Sequence, residues 1–576
     1  MVAPGQLRNH SQEEEGQEEA RAPPGHFLRV EKLPMADEQC VRPQPLLDAS
    51  LPEDVEEGGG NDSPTYTIGA ALDHIGFGRF HVMLLFYCGC AWAADAVEMM
   101  LLSFLGPAVK CLWNITPAQE SLITSIVFCG TMIGAYSWGV LGDAKGRRVG
   151  FFATAMFTFV FGVLSAASPN YVALVILRGL MGVGLGGAPV AFALYLELVP
   201  SKYRGALLVA LQSFWTIGSM LEAGLAWGIL SDWGWRWLVA ISSVPLLLLM
   251  LLYPLLPESP YWLLAMGRTQ EVHAMLSKIA RMNGKELPPG RLQPAAAHKA
   301  KDATLGKQRA ENGADSSAKA GSGLRRRVLE PLQGLLWALK PLMQRALRRT
   351  TLLLMFIWFT NALCYYGLVL LTTSLHAQGG GNSCGAGGKL ILAQRDLRDI
   401  FIASTAELPG LLVAALVMDP LGRKWSLALS LLGIGISTGL LIVTSRADTV
   451  LLFAGRACSM GSFAILYVYT PEVFPTKVRA LGLGVNNAMS RVGALLSPFM
   501  AVALVERGMP HAAEGIIAGI CVLAAIATLC LPLETAGKAL LVDAEKSEES
   551  ASGTADGQHN LLGSRGCSVK QTGRAA

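Results

Sequence analysis

From residue 81 onward, apolar runs of about 20 residues alternate with short polar interruptions. A helix rises 1.5 Å per residue, so a run of about 20 apolar residues crosses the roughly 30 Å of hydrocarbon in a bilayer. Twelve such runs predict twelve transmembrane helices, near 81–105, 121–141, 149–167, 171–195, 206–230, 237–256, 351–375, 398–418, 425–444, 449–470, 480–504 and 513–532. The longest polar gap, 257–350, divides them six and six.

The polar interruptions repeat. Gly139-Val140-Leu141-Gly142-Asp143-Ala144-Lys145-Gly146-Arg147-Arg148 returns as Ala415-Leu416-Val417-Met418-Asp419-Pro420-Leu421-Gly422-Arg423-Lys424, 276 positions later. Glu197-x-x-Pro200-x-x-x-Arg204 returns as Glu472-x-x-Pro475-x-x-x-Arg479, and Arg178-Gly179 has its counterpart in Gly455-Arg456. The last run of each half stops at related sequences, Pro257-Glu258-Ser259-Pro260 and Pro532-Leu533-Glu534-Thr535. Landmarks in one order at nearly one offset identify a duplication, the pattern of a transporter built from two similar halves. The expected domains are an N-terminal six-helix bundle over 65–256 and a C-terminal one over 351–534.

Basic residues resist translocation. Lys145, Arg147, Arg148, Lys202, Arg204, the 257–350 loop, Arg423, Lys424, Lys477 and Arg479 all fall on one side, which predicts that this side is cytoplasmic; Arg395 and Arg398 are a local exception. Both termini then lie in the cytoplasm. Residues 1–64 are polar, with acidic clusters at Glu13–Glu15 and between Glu53 and Glu57, and read as a disordered tail without a secretory signal. The tail 535–576 reads the same way. Within the central loop, Leu264, Val272, Met275, Leu276 and Ile279 recur at helical spacing between Tyr261 and Asn283, predicting amphipathic helices on the inner membrane face. A Lys-, Ala-, Gly- and Ser-rich linker is expected over 284–328.

Composition agrees with a membrane protein: 52% of residues are apolar, 16% are charged, and mean hydropathy is +0.41. The net charge of +4 discriminates no partner. Nucleic-acid binding is not expected, and the Arg325–Arg327 run reads as a contact for anionic lipid. The eleven cysteines show no metal-ligand spacing; Cys111 and Cys384 fall on the outer side and can pair. Asn114-Ile115-Thr116 is a glycosylation sequon on that face. Gly182-Val183-Gly184-Leu185-Gly186-Gly187 superficially matches a dinucleotide loop, but it lies inside an apolar helix, where small residues serve close packing. No Walker sequence is present, so no enzyme, cofactor or metal is expected.

Charges inside the apolar runs carry the chemistry, because a charged side chain at mid-membrane costs about 2.5–3.5 kcal/mol and needs a partner or a function. Asp95 and Glu98 lie three apart in run one; Glu222, Glu407 and Arg491 lie in runs five, eight and eleven. Such carboxylates can bind and release protons, so Asp95 and Glu98 are candidates for proton coupling or for holding a cationic group, and Arg491 for holding a carboxylate. The alternative is that they pair with Arg178 or Arg491 and only fasten helices. Arg178 and Arg456 are expected as structural or gating charges inside the bundles. At the loop ends, Asp143, Arg147, Arg148, Glu197, Arg204, Asp419, Arg423, Lys424, Glu472 and Arg479 are gating candidates, with Glu197–Arg204 and Glu472–Arg479 as possible pairs. Trp215, Trp227, Trp358, Tyr365 and Tyr366 can line an aromatic site or serve only packing.

The duplicated turns, the paired Glu-x-x-Pro-x-x-x-Arg sequences and Pro257-Glu258-Ser259-Pro260-Tyr261-Trp262-Leu263 resemble the signatures of the major facilitator superfamily, on its sugar-porter and organic-ion branch. The segment Asp95 to Pro107 resembles the synaptic-vesicle-protein-related subfamily, which includes plant nicotinate and organic cation/carnitine transporters. Departures are Ala144 and Pro420 in place of a basic residue, Ala415 in place of Gly, and Tyr261 in place of Arg. The resemblance implies two pseudo-symmetric six-helix bundles around a cavity that opens alternately to each side. The expected function is secondary transport of a small organic ion, proton-coupled and by a monomer, in the plasma membrane or an internal vesicle or vacuolar membrane. The competing expectation is a vesicle or ligand-sensing protein with a transporter's fold that moves nothing.

Overall fold

The computed structural model describes residues 65–293, 339–377, 383–384, 390–391, 393–444, 449–475 and 478–536. The acidic tail 1–64, the linker from 294 to 328, Lys477 and the tail from 537 lie outside the described residues.

The first half contains α1 (Ile68–Ile75), α2 (Arg79–Trp113), α3 (Pro117–Lys145), α4 (Arg147–Ala166), α5 (Tyr171–Leu185), α6 (Ala188–Leu198), α7 (Arg204–Ile229), α8 (Trp235–Ser242) and α9 (Val244–Leu251). Two connecting helices follow, α10 (Pro260–Ala265) and α11 (Thr269–Met282). The second half contains α12 (Arg345–Ala377), α13 (Gln394–Thr405), α14 (Glu407–Val417), α15 (Arg423–Thr444), α16 (Thr449–Val473), α17 (Arg479–Glu506) and α18 (Pro510–Leu529). Eleven helical stretches among the described residues are long and apolar enough to span a membrane, and Trp235–Leu251 is a shorter apolar one. Together they make the twelve spans of a two-bundle membrane protein.

Three spans are broken: α5 from α6 at Gly186-Gly187, α8 from α9 at Ser243, and α13 from α14 at Ala406. Each break is followed within three residues by a proline, Pro189, Pro245 or Pro409, whose missing N–H and ring interrupt the helical ladder. Conversely, α2 runs through Pro107 to Trp113 where the sequence suggested a loop from 106. Its end is capped by Asn114 in the left-handed region, φ 49°, whose N–H donates to the Lys110 carbonyl at 2.9 Å. The polar residues beyond the hydrocarbon simply continue the helix.

Glycines set the closest approach. A Cβ on Gly182 would collide with the Val127 backbone, one on Gly134 with the Val183 carbonyl, and one on Gly186 with Ala135, so α3 and α5 pack backbone to backbone. One apolar core lies in the second half around Trp358, Leu431, Tyr469 and Phe474; another lies in the first half around Phe80, Leu84 and Tyr195. A third draws on both halves, joining Phe104, Ala223 and Trp235 to Tyr365, Ile400 and Met460.

The halves also join through polar contacts at the end opposite the Asp143 and Asp419 turns. Ser121 Oγ donates to the Pro498 carbonyl at 3.1 Å and Ser125 Oγ to the Leu495 carbonyl at 3.0 Å. Lys110 forms an ion pair with Glu506. Cys111 is disulfide-bonded; Cys384 lies in the two-residue strand β3 (Ser383–Cys384), paired antiparallel with β4 (Leu390–Ile391), and its side chain is outside the described residues.

The connecting helices differ from expectation in one respect. Val272, Leu276 and Ile279 of α11 face protein, not an open membrane surface: Val272 and Leu276 pack against Ile68 and Leu72 of α1 and Leu263 of α10. Beyond them, β2 (Arg291–Leu292) pairs in parallel with β1 (Thr65–Tyr66), so the start of the expected linker is ordered.

Candidate functional site

The duplicated turns form duplicated charge clusters. Gly146 and Gly422 take φ of 102° and 92°, conformations suited to glycine, and reverse the chain between paired helices. Arg147 meets Asp143 at 2.8 Å and Glu197 at 3.7 Å; Arg423 meets Asp419 at 2.8 Å and Glu472 at 3.3 Å. Ser259 donates to Glu197 and Thr535 donates to Glu472. The stop sequences supply a role that sequence reasoning missed. Glu258 accepts from the Arg148 N–H at 3.1 Å, while Glu534 accepts from the Arg423 and Lys424 N–H groups at 2.9 and 3.1 Å. Each carboxylate thus caps the positive N-terminus of a span. The repeat of Glu258-Ser259 as Glu534-Thr535 was the available signal. Arg148 lies over the Tyr253 ring at 4.4 Å, and Lys424 Nζ donates to the Leu531 carbonyl at 2.9 Å. The expected Glu472–Arg479 pairing gives way to Glu472–Arg423, and Arg479 Nε donates to the Phe474 carbonyl at 3.4 Å. The Arg204 side chain is outside the described residues.

Each half also buries an ion pair. In the first, Arg178 Nη1 donates to Glu98 Oε2 at 3.0 Å, and both side chains are fully buried. Ser243, at the α8/α9 break, donates to the other Glu98 oxygen at 3.2 Å; Ser242 donates to Glu222 at 2.7 Å. Glu222 Oε1, Arg178 Nε and Arg178 Nη2 have no hydrogen-bond partner among the described residues. Two carboxylates therefore share one guanidinium. In the second half, Arg456 Nη2 donates to Glu407 Oε1 at 2.7 Å, and the Tyr365 hydroxyl donates to the same oxygen at 3.0 Å. Trp215 Nε1–H donates to the Tyr365 hydroxyl at 2.6 Å, tying the two halves together.

Between the halves lies a cavity. The first half contributes Trp92, Gln212 and Trp215; the second contributes Tyr365, Tyr366, Phe463, Tyr467 and Arg491 among others. Trp92 Nε1–H donates to Gln212 at 2.9 Å, and its ring centroid lies 5.6 Å from that of Trp215. Tyr365 and Tyr366 meet edge to face at 5.1 Å. Arg491 is the charged residue in this lining. Of the aromatic candidates, Trp215, Tyr365 and Tyr366 line the cavity. Trp358 is buried, donating to Thr470 at 2.9 Å, and Trp227 donates to Gln394 at 2.5 Å. Trp92, Phe463 and Tyr467 were missed; isolated aromatics in apolar helices carry no periodic signal of a cavity. Asp95 does not share the surroundings of Glu98: it lines a separate, smaller cavity with Phe151, Thr154, Thr158 and Leu246.

Twelve spans in two bundles, with a chemically specialised cavity between them, define a multi-pass membrane transporter. The family description "Sugar (and other) transporter" matches residues 66–329 and "Major Facilitator Superfamily" matches 400–565. Organic cation/carnitine transporter 7 of Arabidopsis thaliana is 44% identical over 500 residues, covering 84% of this chain and 98% of its own length. The synaptic vesicle 2-related protein of Bos taurus is 38% identical, covering 83% of this chain and 82% of its own. In fold, the chain is similar to the inward-open xylose transporter XylE from E. coli, at a TM-score of 0.57 and 18% identity, covering 80% of this chain and 98% of that one. The chain belongs to the major facilitator superfamily, a family of transporters and not of enzymes.

Proposed function

We propose that this chain is a proton-coupled secondary carrier of a small organic ion, working by alternating access as a monomer, with both termini and the Asp143 and Asp419 turns in the cytoplasm. The observation that carries the reading is the interfacial cavity, in which Arg491 stands among aromatic rings from both halves. A site between two bundles is exposed to one side or the other as the bundles rock. The polar contacts joining the halves through Ser121, Ser125 and Lys110 are at the end away from those turns, as suits a carrier closed to the outside. The ion pairs of Arg147 and Arg423 each remain within one half and brace it as it moves. Proton coupling is supported by the first half's surplus of buried carboxylates over guanidinium, since uncompensated charge there is costly and a proton relieves it.

The test is uptake of labelled organic anions and cations into proteoliposomes, with and without an inward proton gradient. Gradient-stimulated uptake of one class supports a coupled carrier. Ligand binding by folded protein without uptake of any panel member would favour the sensing alternative.

A further inference from the structure

His81, in the first turn of α2, is fully buried and takes no part in the site described above. Its ring nitrogens have fixed roles. Nε2 lies 3.1 Å from the Leu198 carbonyl at the end of α6, an acceptor only, so Nε2 carries a hydrogen. Nδ1 lies 3.2 Å from Asn283 Nδ2, at the end of α11. The orientation of that amide follows from its other bonds: Oδ1 accepts from the Phe80 N–H at 3.0 Å, and Nδ2 donates to the Gly76 carbonyl at 3.2 Å. Nδ1 is therefore an acceptor, and His81 is neutral in this arrangement.

Asn283 thus caps span one from 203 positions away, since Gly78 at the N-cap position has no side chain to do so. A Cβ on Gly78 would lie 2.5 Å from Asn283 Cγ, so only glycine admits the amide there. Through His81 the same residue ties α11 to the end of span four. Among the described residues no charged side chain bonds to the imidazole, whose ring neighbours are Phe77 at 5.8 Å and Phe80 at 5.3 Å. The titratable groups on the surrounding elements are engaged elsewhere. Asp73 of α1 accepts from the Ser201 N–H at 2.7 Å, Glu197 of α6 pairs with Arg147, and Lys202 lies over the Tyr203 ring, which meets Phe77. Arg79 beside Phe80, and Arg281 and Lys285 beside Asn283, are exposed to water.

We propose that His81 and Asn283 form an acid-sensitive clamp at the inner end of span one and, resting on the carrier reading, that acidity on this side slows transport through it. A second proton on the ring puts an N–H on Nδ1, facing the Asn283 NH2 group, and leaves a buried cation without a counter-charge. Turning the amide over does not rescue the contact. The flip offers oxygen to His81, but it aims the NH2 group at the Phe80 N–H and takes the donor from the Gly76 carbonyl. Protonation therefore releases α11 from spans one and four. Span one carries Trp92 of the cavity and Glu98 of the buried ion pair, so loosening its inner end deforms the half that must rock as one body. In the proposed orientation this side is the cytoplasm, and a carrier importing protons is slowed by its own product.

The experiment is hydrogen–deuterium exchange of the full chain in detergent, read on peptides covering 78–84 and 276–286 as protection relative to the free-peptide rate at each pH. The closed clamp needs neutral His81, whereas an opened one titrates at the ordinary histidine value of about 6.5. Closure is therefore full above that value and weakens by up to about tenfold per pH unit below it. Wild-type protection should fall on the order of tenfold between about pH 6.5 and 5.5. Asn283→Asp keeps an acceptor for the Phe80 N–H and gives a protonated Nδ1 a carboxylate, so its protection should hold or rise over the same range. His81→Gln does not titrate and should show no step. Wild-type protection that ignores pH, or the same acid loss in Asn283→Asp, would overturn the clamp. Counterflow of a transported organic ion in proteoliposomes, at equal pH on both sides, should be several-fold slower at about pH 5.5 than at about 7.5 in the wild type and lose that difference in Asn283→Asp. Acid opening with no effect on counterflow would overturn the control of transport. Acid opening with no transport of any organic ion would sink the carrier reading and leave the clamp standing.

Discussion

The two buried ion pairs differ in their charge count, and the difference predicts unequal responses to neutralisation. Glu407→Gln leaves Arg456 buried with its ion-pair partner gone; Glu407 is the only carboxylate in ion-pair contact with Arg456 among the described residues. Removing one member of a buried pair costs about 3–5 kcal/mol, because the remaining charge is uncompensated. The same change also replaces the charged acceptor of the Tyr365 hydroxyl with a neutral one. Glu222→Gln acts in the opposite sense. It removes the surplus carboxylate, leaves the Glu98–Arg178 pair at 3.0 Å intact, and keeps an amide oxygen for Ser242. Its expected cost is below about 1 kcal/mol, that of weakening one hydrogen bond. Differential scanning fluorimetry of the two variants in the same detergent reads the contrast: a large drop in melting temperature for Glu407→Gln and a small change or a gain for Glu222→Gln. Equal losses would refute the charge count, showing that Glu222 and Arg178 form an interaction as necessary as that of Glu407 and Arg456.

Other outcomes follow from the same geometry. Glu534→Gln removes the charged cap from the N-terminus of α15 and should cost about 0.5–2 kcal/mol, with Glu258→Gln matching it at α4; parallel melting curves test the symmetry. Gly182→Leu drives a side chain into the Val127 backbone and should prevent assembly of α3 on α5, read as loss of monodisperse protein on size exclusion. Asp143→Asn leaves Arg147 its contact with Glu197, so insertion and folding should persist while turnover falls; unchanged turnover in proteoliposomes would remove the gating role. Trp215→Phe keeps the ring and deletes the N–H bond to Tyr365, with an expected stability cost of about 0.5–1.5 kcal/mol by thermal unfolding.

The spans were legible because bilayer thickness imposes one length on every crossing, and the duplicated turns were legible because they occupy equivalent corners of two bundles. Helix ends were less so. Lys110 and Glu506 lie on helices that extend past the hydrocarbon, and polarity there marks the edge of the membrane and not the end of the helix. The buried charges were found from their rarity in apolar runs, but their partners were set by rotation about each helix axis. That rotation separates Asp95 from Glu98, although they are only three residues apart. Pairing of Arg456 with Glu407, while Arg178 pairs with Glu98, also breaks the symmetry that the sequence repeat suggested. Trp92, Phe463 and Tyr467 become a site only when helices from different halves converge, and no local pattern records that convergence.

Proton movement accompanying substrate movement tests the central claim most directly. Proteoliposomes containing the full chain and a pH-sensitive dye are given an organic ion that the protein takes up, under an imposed substrate gradient without a pH gradient. The proposed proton coupling predicts internal acidification in step with substrate entry. Substrate entry with no accompanying proton flux would contradict it.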